Sequence, residues 1–470
     1  MQNHLSSSHT RLTRLLQPTQ AWMAILGFAF FSEICLLAHA GSVLRLFFPA
    51  GAFVVGIFLY FRYPILYLGF NWWIAFLSPW VRRLIDNQSG WVDPSPVLLA
   101  PVLVMLVTLI TFVRHFPTSY RQGGLPFVLS SMAVVYGFLV GLIKNPPASA
   151  FLASLGWLLP ITFGFHLLVN WREYPTYRQN IQRTFLWCVL LTGTYGVYQF
   201  ITAPAWDRYW MLNAPINSIG SPEPFQIRVF STMNSPGPFA VVIMAGLLLL
   251  LSNQGSWRFP ASVAGYLAFL LSQVRAAWMG WFVGLLTLIP SLKPQLQMRL
   301  VATILIVAVG VVPLTTIEPF SNVIGSRLQS LSDTKGDVSY NERMAGYREL
   351  FDEALSELPG KGLGFVISSN SIGANDSGIL SMLFSLGWFG TIPYISGILL
   401  TIWGCFQGTN RSADPFVNTA RAISLGIIVQ LGLGIATVGL SGNLFWGFAG
   451  IAMAGNKYYQ SQQYTHFKIG

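Results

Sequence analysis

Residues 237–252 read GPFAVVIMAGLLLLLS, an uncharged run that directly follows Asn234-Ser235-Pro236. Asn or Ser before a proline is typical of a helix start, with the polar side chain as the cap and the proline in the first turn. Similar apolar runs fill the rest of the 470-residue chain, which is 53% hydrophobic and only 9% charged. Soluble domains carry about 25% charged residues. The composition therefore predicts an all-α, polytopic integral membrane protein.

A membrane span takes about 20 mostly apolar residues, and the candidate runs predict about 12–14 transmembrane helices. The candidates lie at roughly 21–40, 43–61, 64–80, 97–113, 125–143, 147–169, 184–204, 237–252, 260–273, 277–291, 299–316, 377–404, 416–438 and 442–456. The third run carries Trp72, Trp73 and Trp80 and could instead lie in the membrane interface. The two runs on either side of Arg275 are short, so they predict a tight hairpin.

Lys and Arg concentrate in the cytoplasmic loops of membrane proteins. The net charge of +11 comes from residues scattered at the ends of apolar runs, which argues for topology-setting loops and against a nucleic-acid partner. The rule puts both chain termini in the cytoplasm and the polar segments 205–236 and 317–376 on the outer face. The predicted regions are a tail (1–20), N-terminal transmembrane helices (21–204), a region with both outer segments (205–456) and a second tail (457–470).

Two arginines near predicted helix ends are candidate ligand-binding residues. Arg228 lies shortly before the helix start at Asn234, and a helix N-terminus attracts phosphate through its partial positive charge and free N–H groups. The simpler interpretation is a helix start without a ligand. Arg275 lies between apolar runs in the stretch Ser272–Gly280, where an ionisable residue is a functional suspect by default. Alternatively, its guanidinium group reaches the surface from a hairpin tip.

The segment 317–376 holds more than half of the Asp and Glu residues of the chain. Apolar residues within Asn341–Leu355 recur at spacings of three and four, which predicts an amphipathic helix. Arg343 and Tyr347 fall on its apolar face, an unusual place for a solvated charge. The alternative is a helix that lies on the membrane with its charged face in water. A cluster of Pro and Gly at 358–364 then ends the helix.

The same segment closes with Asn375-Asp376-Ser377, directly before the apolar run 377–404. Asp376 and Ser377 can cap the next helix. A carboxylate at the membrane surface, opposite arginines, could also serve as a general base. The sequence leaves both roles open.

Taken in order, these motifs resemble the O-antigen ligase and O-antigen polymerase superfamily of bacterial envelope enzymes. The resemblance covers about 205–405 and rests on the order and spacing of loose motifs. The residues that carry it are Arg228, Asn234, Ser272 to Gly280 with Arg275, Arg343, Tyr347, Pro359, Gly362, Gly364, Asn375, Asp376, Ser377, Leu386, Gly387 and Gly390.

The resemblance implies a glycosyltransferase of the bacterial inner membrane with its active side in the periplasm. Such enzymes move a glycan from a polyprenyl diphosphate carrier, such as undecaprenyl diphosphate, to an acceptor sugar during polymerisation or ligation of a surface polysaccharide. They are regarded as metal-independent, so no cofactor is expected. Arg228, Arg275 and Arg343 would hold the diphosphate, which suits the bidentate guanidinium group. Asp376 is the first candidate for the catalytic base, and Glu342 is the second.

Asn234, Tyr347 and Asn375 are possible supporting residues. Ligase members carry a histidine at the start of the final motif, where this chain has Asn375 and Asp376. This departure favours repeat-unit polymerisation, or a related role in exopolysaccharide synthesis, over ligation to lipid A. Beyond the donor, the acceptor and the lipid bilayer, the implied partners are proteins of chain-length control or export. Two alternatives remain: a transporter of a small anion such as bicarbonate, and a non-catalytic component of a polysaccharide export system.

Overall fold

The structure is a computed structural model. It describes residues 19–253, 255–291, 297–298, 350–366, 377–407 and 414–467. Within these ranges the regular structure is helical, apart from one isolated bridge between Gly220 and Ile227. Seven of the described helices are long and apolar enough to cross a membrane, which confirms the prediction of an all-α polytopic membrane protein. The chain forms two compact units, Met1–Val107 and Thr108–Gly470.

The first unit contains α1 (Thr19–Leu37), α2 (Gly41–Arg62), α3 (Pro64–Ser89) and α4 (Leu99–Leu106). Helix α3 extends past the predicted run 64–80 to 26 residues. At 1.5 Å per residue this is about 39 Å, but α3 is not one of the seven described helices that are long and apolar enough to cross a membrane. Near its end, the buried carboxylate of Asp86 pairs with Arg82 at 3.1 Å and with Arg45 at 3.0 Å. The charges of Arg82 and Asp86 are therefore paired inside the unit.

The second unit contains eleven α-helices for which both ends are described. They are α5 (Thr108–His115), α6 (Leu125–Lys144), α7 (Pro147–Val169), α8 (Tyr174–Thr202), α9 (Ala205–Asn213), α10 (Pro236–Ser252), α11 (Arg258–Leu271), α12 (Arg275–Leu288), α13 (Gly378–Phe406), α14 (Pro415–Ile428) and α15 (Gly439–Phe467). The predicted hairpin is confirmed, because only the turn 272–274 separates α11 from α12.

The predicted span 416–438 is wrong in its second half. Helix α14 ends at Ile428, a short 3-10 turn follows over Val429–Gly432, and residues 433–438 are not helical. Two glycines, Gly432 and Gly434, each cost about 1 kcal/mol in a helix relative to alanine. The β-branched residues at 435, 437 and 438 also lose side-chain freedom in a helix. The α-helix therefore tightens into a 3-10 turn after Ile428, and that turn ends at Gly432.

Glycine contacts fix the relative heights of the helices in the second unit. On α12, Gly280 packs against Met244 of α10, and Gly284 packs against Leu248 one turn further along both helices. The two helices therefore run parallel, and Arg275 at the start of α12 lies level with the first turn of α10. We call the end of the unit at which α10 and α12 begin the site end.

Two further helices meet at the same height. Gly280 also packs against Gly426, and Gly284 lies close to Ala422, so α14 runs antiparallel to α12 and Leu431 lies level with Arg275. Gly378, the first residue of α13, packs against Leu431 and Gly434. The N-termini of α10, α12 and α13 therefore lie at similar heights at the site end.

Before α13, the glycine-rich stretch 358–365 is fixed to the end of α6. The amide of Asn145 donates to the carbonyl oxygens of Lys361 at 2.8 Å and Leu363 at 3.2 Å. Lys144 donates to the carbonyl of Gly360 at 2.8 Å. Gly360, Gly362 and Gly364 all have positive φ, and each lies directly against the backbone of a neighbouring segment. The predicted breaker cluster is therefore a docking segment that requires glycine.

Residues 350–356 form the described end of the predicted amphipathic helix. Leu350 and Ala354 are buried against Leu380, Leu383 and Phe384 of α13. In its described part, the apolar face of this helix therefore packs on protein rather than on the membrane surface. The rest of the predicted helix lies outside the described residues.

We predict that Gly362→Ala lowers the stability of the protein by more than Gly123→Ala. Both glycines have positive φ, at 83° and 76°, so alanine is strained by about 1–2 kcal/mol at either position. Only at Gly362 would the new Cβ lie 2.3 Å from the backbone nitrogen of Gly141, whereas the space beside Gly123 is open. Thermal unfolding of both variants in detergent measures the difference. Equal losses would show that segment 358–365 is not docked as described.

Candidate functional site

Arg228 links two segments at the site end. Its guanidinium group donates to the carbonyl oxygen of Ser218 at 2.8 Å and to that of Gln273 at 3.2 Å. Next to it, the N–H of Val229 donates to the carbonyl of Leu271 at 3.1 Å. Arg228 therefore fastens the segment after α9 to the turn between α11 and α12.

Arg275 follows that turn as the first residue of α12 and is half-buried. Gln273, two residues earlier, adopts a left-handed backbone conformation with φ of 56° and accepts the hydrogen bond from Arg228. The structure therefore brings together the segments of two predicted site arginines that lie 47 positions apart in the sequence. Their role in binding diphosphate stays a prediction.

Asn234 lies where the sequence predicts, directly before α10, but the predicted side-chain cap is absent. The N-cap residue is Ser235, whose side chain makes no cap hydrogen bond, and Pro236 occupies the first turn. The main-chain oxygen of Asn234 accepts a bond from Trp210 at 3.1 Å, while its buried Oδ1 has no hydrogen-bond partner among the described residues. The helix start is confirmed, and Trp210 rather than a cap holds it.

The helix starts give the site end a positive electrostatic character. The first N–H groups of a helix have no partner within it, and the aligned peptide dipoles add about half an elementary charge at that end. The N-cap residues of α10 and α12 make no side-chain cap hydrogen bond. Because Pro236 and Pro238 have no N–H, the first three residues of α10 offer a single backbone donor, at Gly237. With Arg228 and Arg275 beside them, the two starts are suited to bind an anion with several oxygen atoms.

A buried polar network holds the backbone that follows Arg228. Asp207 in α9 is fully buried, and its carboxylate accepts hydrogen bonds from Tyr195 and Gln199, each at 2.8 Å. The amide oxygen of Gln199 accepts from the backbone N–H groups of Phe230 at 3.1 Å and Ser231 at 2.8 Å. The carboxylate therefore orients the amide, and the amide holds the backbone that follows Arg228.

This network is not apparent from the sequence. Asp207 was visible as an acidic residue in the outer segment 205–236, but Gln199 lies in an apolar run and its partners are far away in the sequence. A signal was present in Gln199 itself, because a lone amide in a membrane span needs hydrogen-bond partners. Ser231, which the network holds, has φ of 50°.

The remaining predicted site residues lie outside the described residues. They are Asp376, Glu342, Arg343, Tyr347 and Asn375. The next residue after this group, Ser377, caps α13 as predicted, because its hydroxyl accepts from the N–H of Leu380 at 3.2 Å. Within the described ranges, no group of three His, Cys, Asp or Glu side chains is placed to hold a metal ion.

We predict that Tyr195→Phe destabilises the protein and that Tyr198→Phe does not. Tyr195 donates to Asp207 and accepts from Trp206 at 2.6 Å, so loss of its hydroxyl removes a partner from the buried Asp207 and from the half-buried Trp206. Hydrogen bonds to charged groups contribute about 1.5–3 kcal/mol. Tyr198 lies on the same helix, 46% exposed. Chemical or thermal unfolding of the two variants compares them, and equal stability would refute a supporting role for the network.

No family model matches the chain, and no curated protein sequence matches it. The resemblance to the O-antigen ligase and polymerase superfamily therefore stays a hypothesis based on the residues and their placement.

Proposed function

We propose that the protein is a membrane glycosyltransferase that transfers a glycan from a polyprenyl diphosphate carrier to an acceptor sugar. The observation that supports this most is the hydrogen bond of Arg228 to the turn that precedes Arg275, at the uncapped start of α12. A diphosphate leaving group develops negative charge as its bond to the sugar breaks. Fixed cations and helix N-termini stabilise such charge, because they need no reorganisation during the reaction.

In this proposal the acceptor hydroxyl attacks the anomeric carbon in line with the departing diphosphate, so the configuration inverts. Asp376 would take the hydroxyl proton as general base, with Glu342 as the second candidate. Arg275 and Arg343 would bind the diphosphate directly. Arg228 would contribute through charge and by holding the turn that carries Arg275, because its hydrogen bonds include two to backbone carbonyls.

The proposed setting is the outer face of a bacterial inner membrane. The distribution of Lys and Arg supports it, since the rule that places basic loops in the cytoplasm puts the site end outside. There the enzyme would polymerise or ligate a surface polysaccharide, in contact with proteins of chain-length control or export. The loss of the ligase histidine supports polymerisation.

One observation favours a transporter of a small anion as a second candidate. Transporters bind their substrates beside interrupted helices inside the membrane, and the chain is non-helical at 433–438 between α14 and α15. The arginines favour the enzyme, because they gather at one end of the unit together with helix N-termini. Uptake of labelled bicarbonate into proteoliposomes separates the two functions.

We predict that Arg275→Ala shortens the surface polysaccharide or abolishes it in the bacterium that carries this protein. Loss of charge-assisted hydrogen bonds worth about 1.5–3 kcal/mol corresponds to a loss of activity of about ten- to a hundredfold. The matched control is Arg258→Ala at the other end of the same hairpin, where the guanidinium donates to the carbonyl of Asn253 at 3.0 Å.

The measurement is the chain-length distribution of the polysaccharide on gels, at equal amounts of membrane-inserted protein. Arg275→Lys should keep part of the activity, because it retains the charge but loses the bidentate geometry. Normal chain lengths for Arg275→Ala would contradict the proposed function, and so would equal losses for Arg275→Ala and Arg258→Ala.

A further inference from the structure

The end of the second unit that lies away from the site end is set by α6. This helix runs antiparallel to α13, because Gly137 packs against Leu386 and Gly397 packs against Ser130. Helix α6 therefore ends at the site end. It has 20 residues and is one of the described helices that are long and apolar enough to cross a membrane. Its start lies about 30 Å away, at the opposite membrane surface, which we call the far end.

Two basic side chains meet at the far end. The ammonium group of Lys457 in α15 donates to the carbonyl oxygen of Gln122, just before α6, at 3.2 Å. It also lies 5.6 Å from the centre of the ring of Trp171, just after α7. The guanidinium group of Arg172 lies 5.0 Å from the centre of the same ring. Two cations from separate parts of the chain therefore share one indole ring.

Within the described part of the chain, neither cation forms an ion pair with a carboxylate. The acidic residues nearest to them have other partners, because Glu173 accepts from Thr176 at 3.4 Å and Asp414 pairs with Arg178 at 2.9 Å. The acidic residues outside the described ranges all belong to the segment 317–376, whose described part docks at the site end. The far end therefore has an excess of positive charge.

Lys457 is half-buried, and this position disfavours its charged form. Burial and the positive charge of Arg172 both lower the pKa of Lys457. A bound anion would act in the opposite direction, because an opposite charge within about 4–6 Å favours the charged form. An anion between Lys457 and Arg172 would also relieve the repulsion between them. The pair is therefore suited to bind a negatively charged group.

The surroundings of the pair favour a lipid as the source of that charge. Phe116, Tyr120 and Leu125, which lie on either side of Gln122 in the sequence, are exposed. Arg121 is exposed among them. Aromatic side chains are enriched at the level of the lipid headgroups. A ligand at this end would therefore place its charge on basic side chains and its acyl chains on apolar ones.

We infer that Lys457, Arg172 and Trp171 bind the phosphate headgroup of an anionic phospholipid at the far end. The distribution of Lys and Arg predicts that this end faces the cytoplasm, and basic pockets between transmembrane helices on that side bind such headgroups. A bound phosphate would link α15 to the segments that precede α6 and follow α7. The site lies across the membrane from Arg228 and Arg275, so the inference goes beyond the proposed function.

The test is lipid retention by the full-length protein, purified in detergent and mixed with equal amounts of dioleoyl phosphatidylglycerol and dioleoyl phosphatidylcholine. Native mass spectrometry measures how much of each lipid stays bound. The test variants are Lys457→Gln, whose amide can still donate to Gln122, and Arg172→Gln, which changes an exposed side chain. The matched control is Arg258→Gln at the same end, where the guanidinium lies 4.7 Å from the centre of the Phe259 ring.

We expect the unaltered protein to retain phosphatidylglycerol in preference to phosphatidylcholine. Lys457→Gln should lower the affinity for phosphatidylglycerol by about tenfold and Arg172→Gln by about fivefold, whereas Arg258→Gln should leave it unchanged. Equal losses in the three variants would overturn the site, because they would report a general effect of surface charge.

Equal retention of the two lipids by the unaltered protein would also overturn the site. Excess inorganic phosphate should not displace phosphatidylglycerol, because the acyl chains contribute to binding, and displacement would show that the site takes a soluble anion instead of a lipid. The readout does not involve glycan transfer. Failure of this inference therefore leaves the proposed function unchanged, and the reverse also holds.

Discussion

The architecture of the second unit depends on one constraint: a backbone inside a bilayer must have all its hydrogen bonds satisfied. Helices meet the constraint along their length but not at their first and last turns. The starts of α10, α12 and α13 lie at similar heights, and those of α10 and α12 have no side-chain cap. The free N–H groups, which at the start of α10 are limited to Gly237 by Pro236 and Pro238, require anions or water. The same groups make this end of the unit suitable for binding a diphosphate.

Glycine makes this arrangement possible, because it lets helix backbones approach closely. Gly280 lies against Gly426 with their backbones in direct contact, and Gly164 lies against Trp446 and Gly450 in the same way. Small residues at such contacts are typical of helix packing in membranes, where apolar burial supplies little driving force. The glycines set the heights of the helices, and the heights decide which helix starts become neighbours. The same glycine contacts therefore determine both the packing of the helices and the electrostatics of the site.

Much of the fold could be predicted from the sequence, since hydropathy marks helices and Pro, Ser and Gly mark their ends. The hairpin at Arg275, the start of α10 at Pro236 and the cap at Ser377 follow such local rules. The end of α14 could not be predicted from such rules, because Gly432 and Gly434 lie within an apolar run that is typical of a continuous membrane span. The pairing of Gln199 with Asp207 was also hidden, since it depends on how α8, α9 and the segment before α10 fold together. The predicted roles of Arg343 and Asp376 belong to residues outside the described ranges.

The contacts of Arg228 give this residue a different role from the one that the sequence predicts. Its hydrogen bonds to the carbonyls of Ser218 and Gln273 give it a structural role, and the Gln199 amide fixes the backbone just after it. A guanidinium group fixed in this way contributes a positive charge at a constant position. Arg275 sits on the turn that Arg228 holds, so its geometry depends on that support. A preorganised site needs such a supporting layer, because small displacements of a charged group weaken its interaction with developing charge.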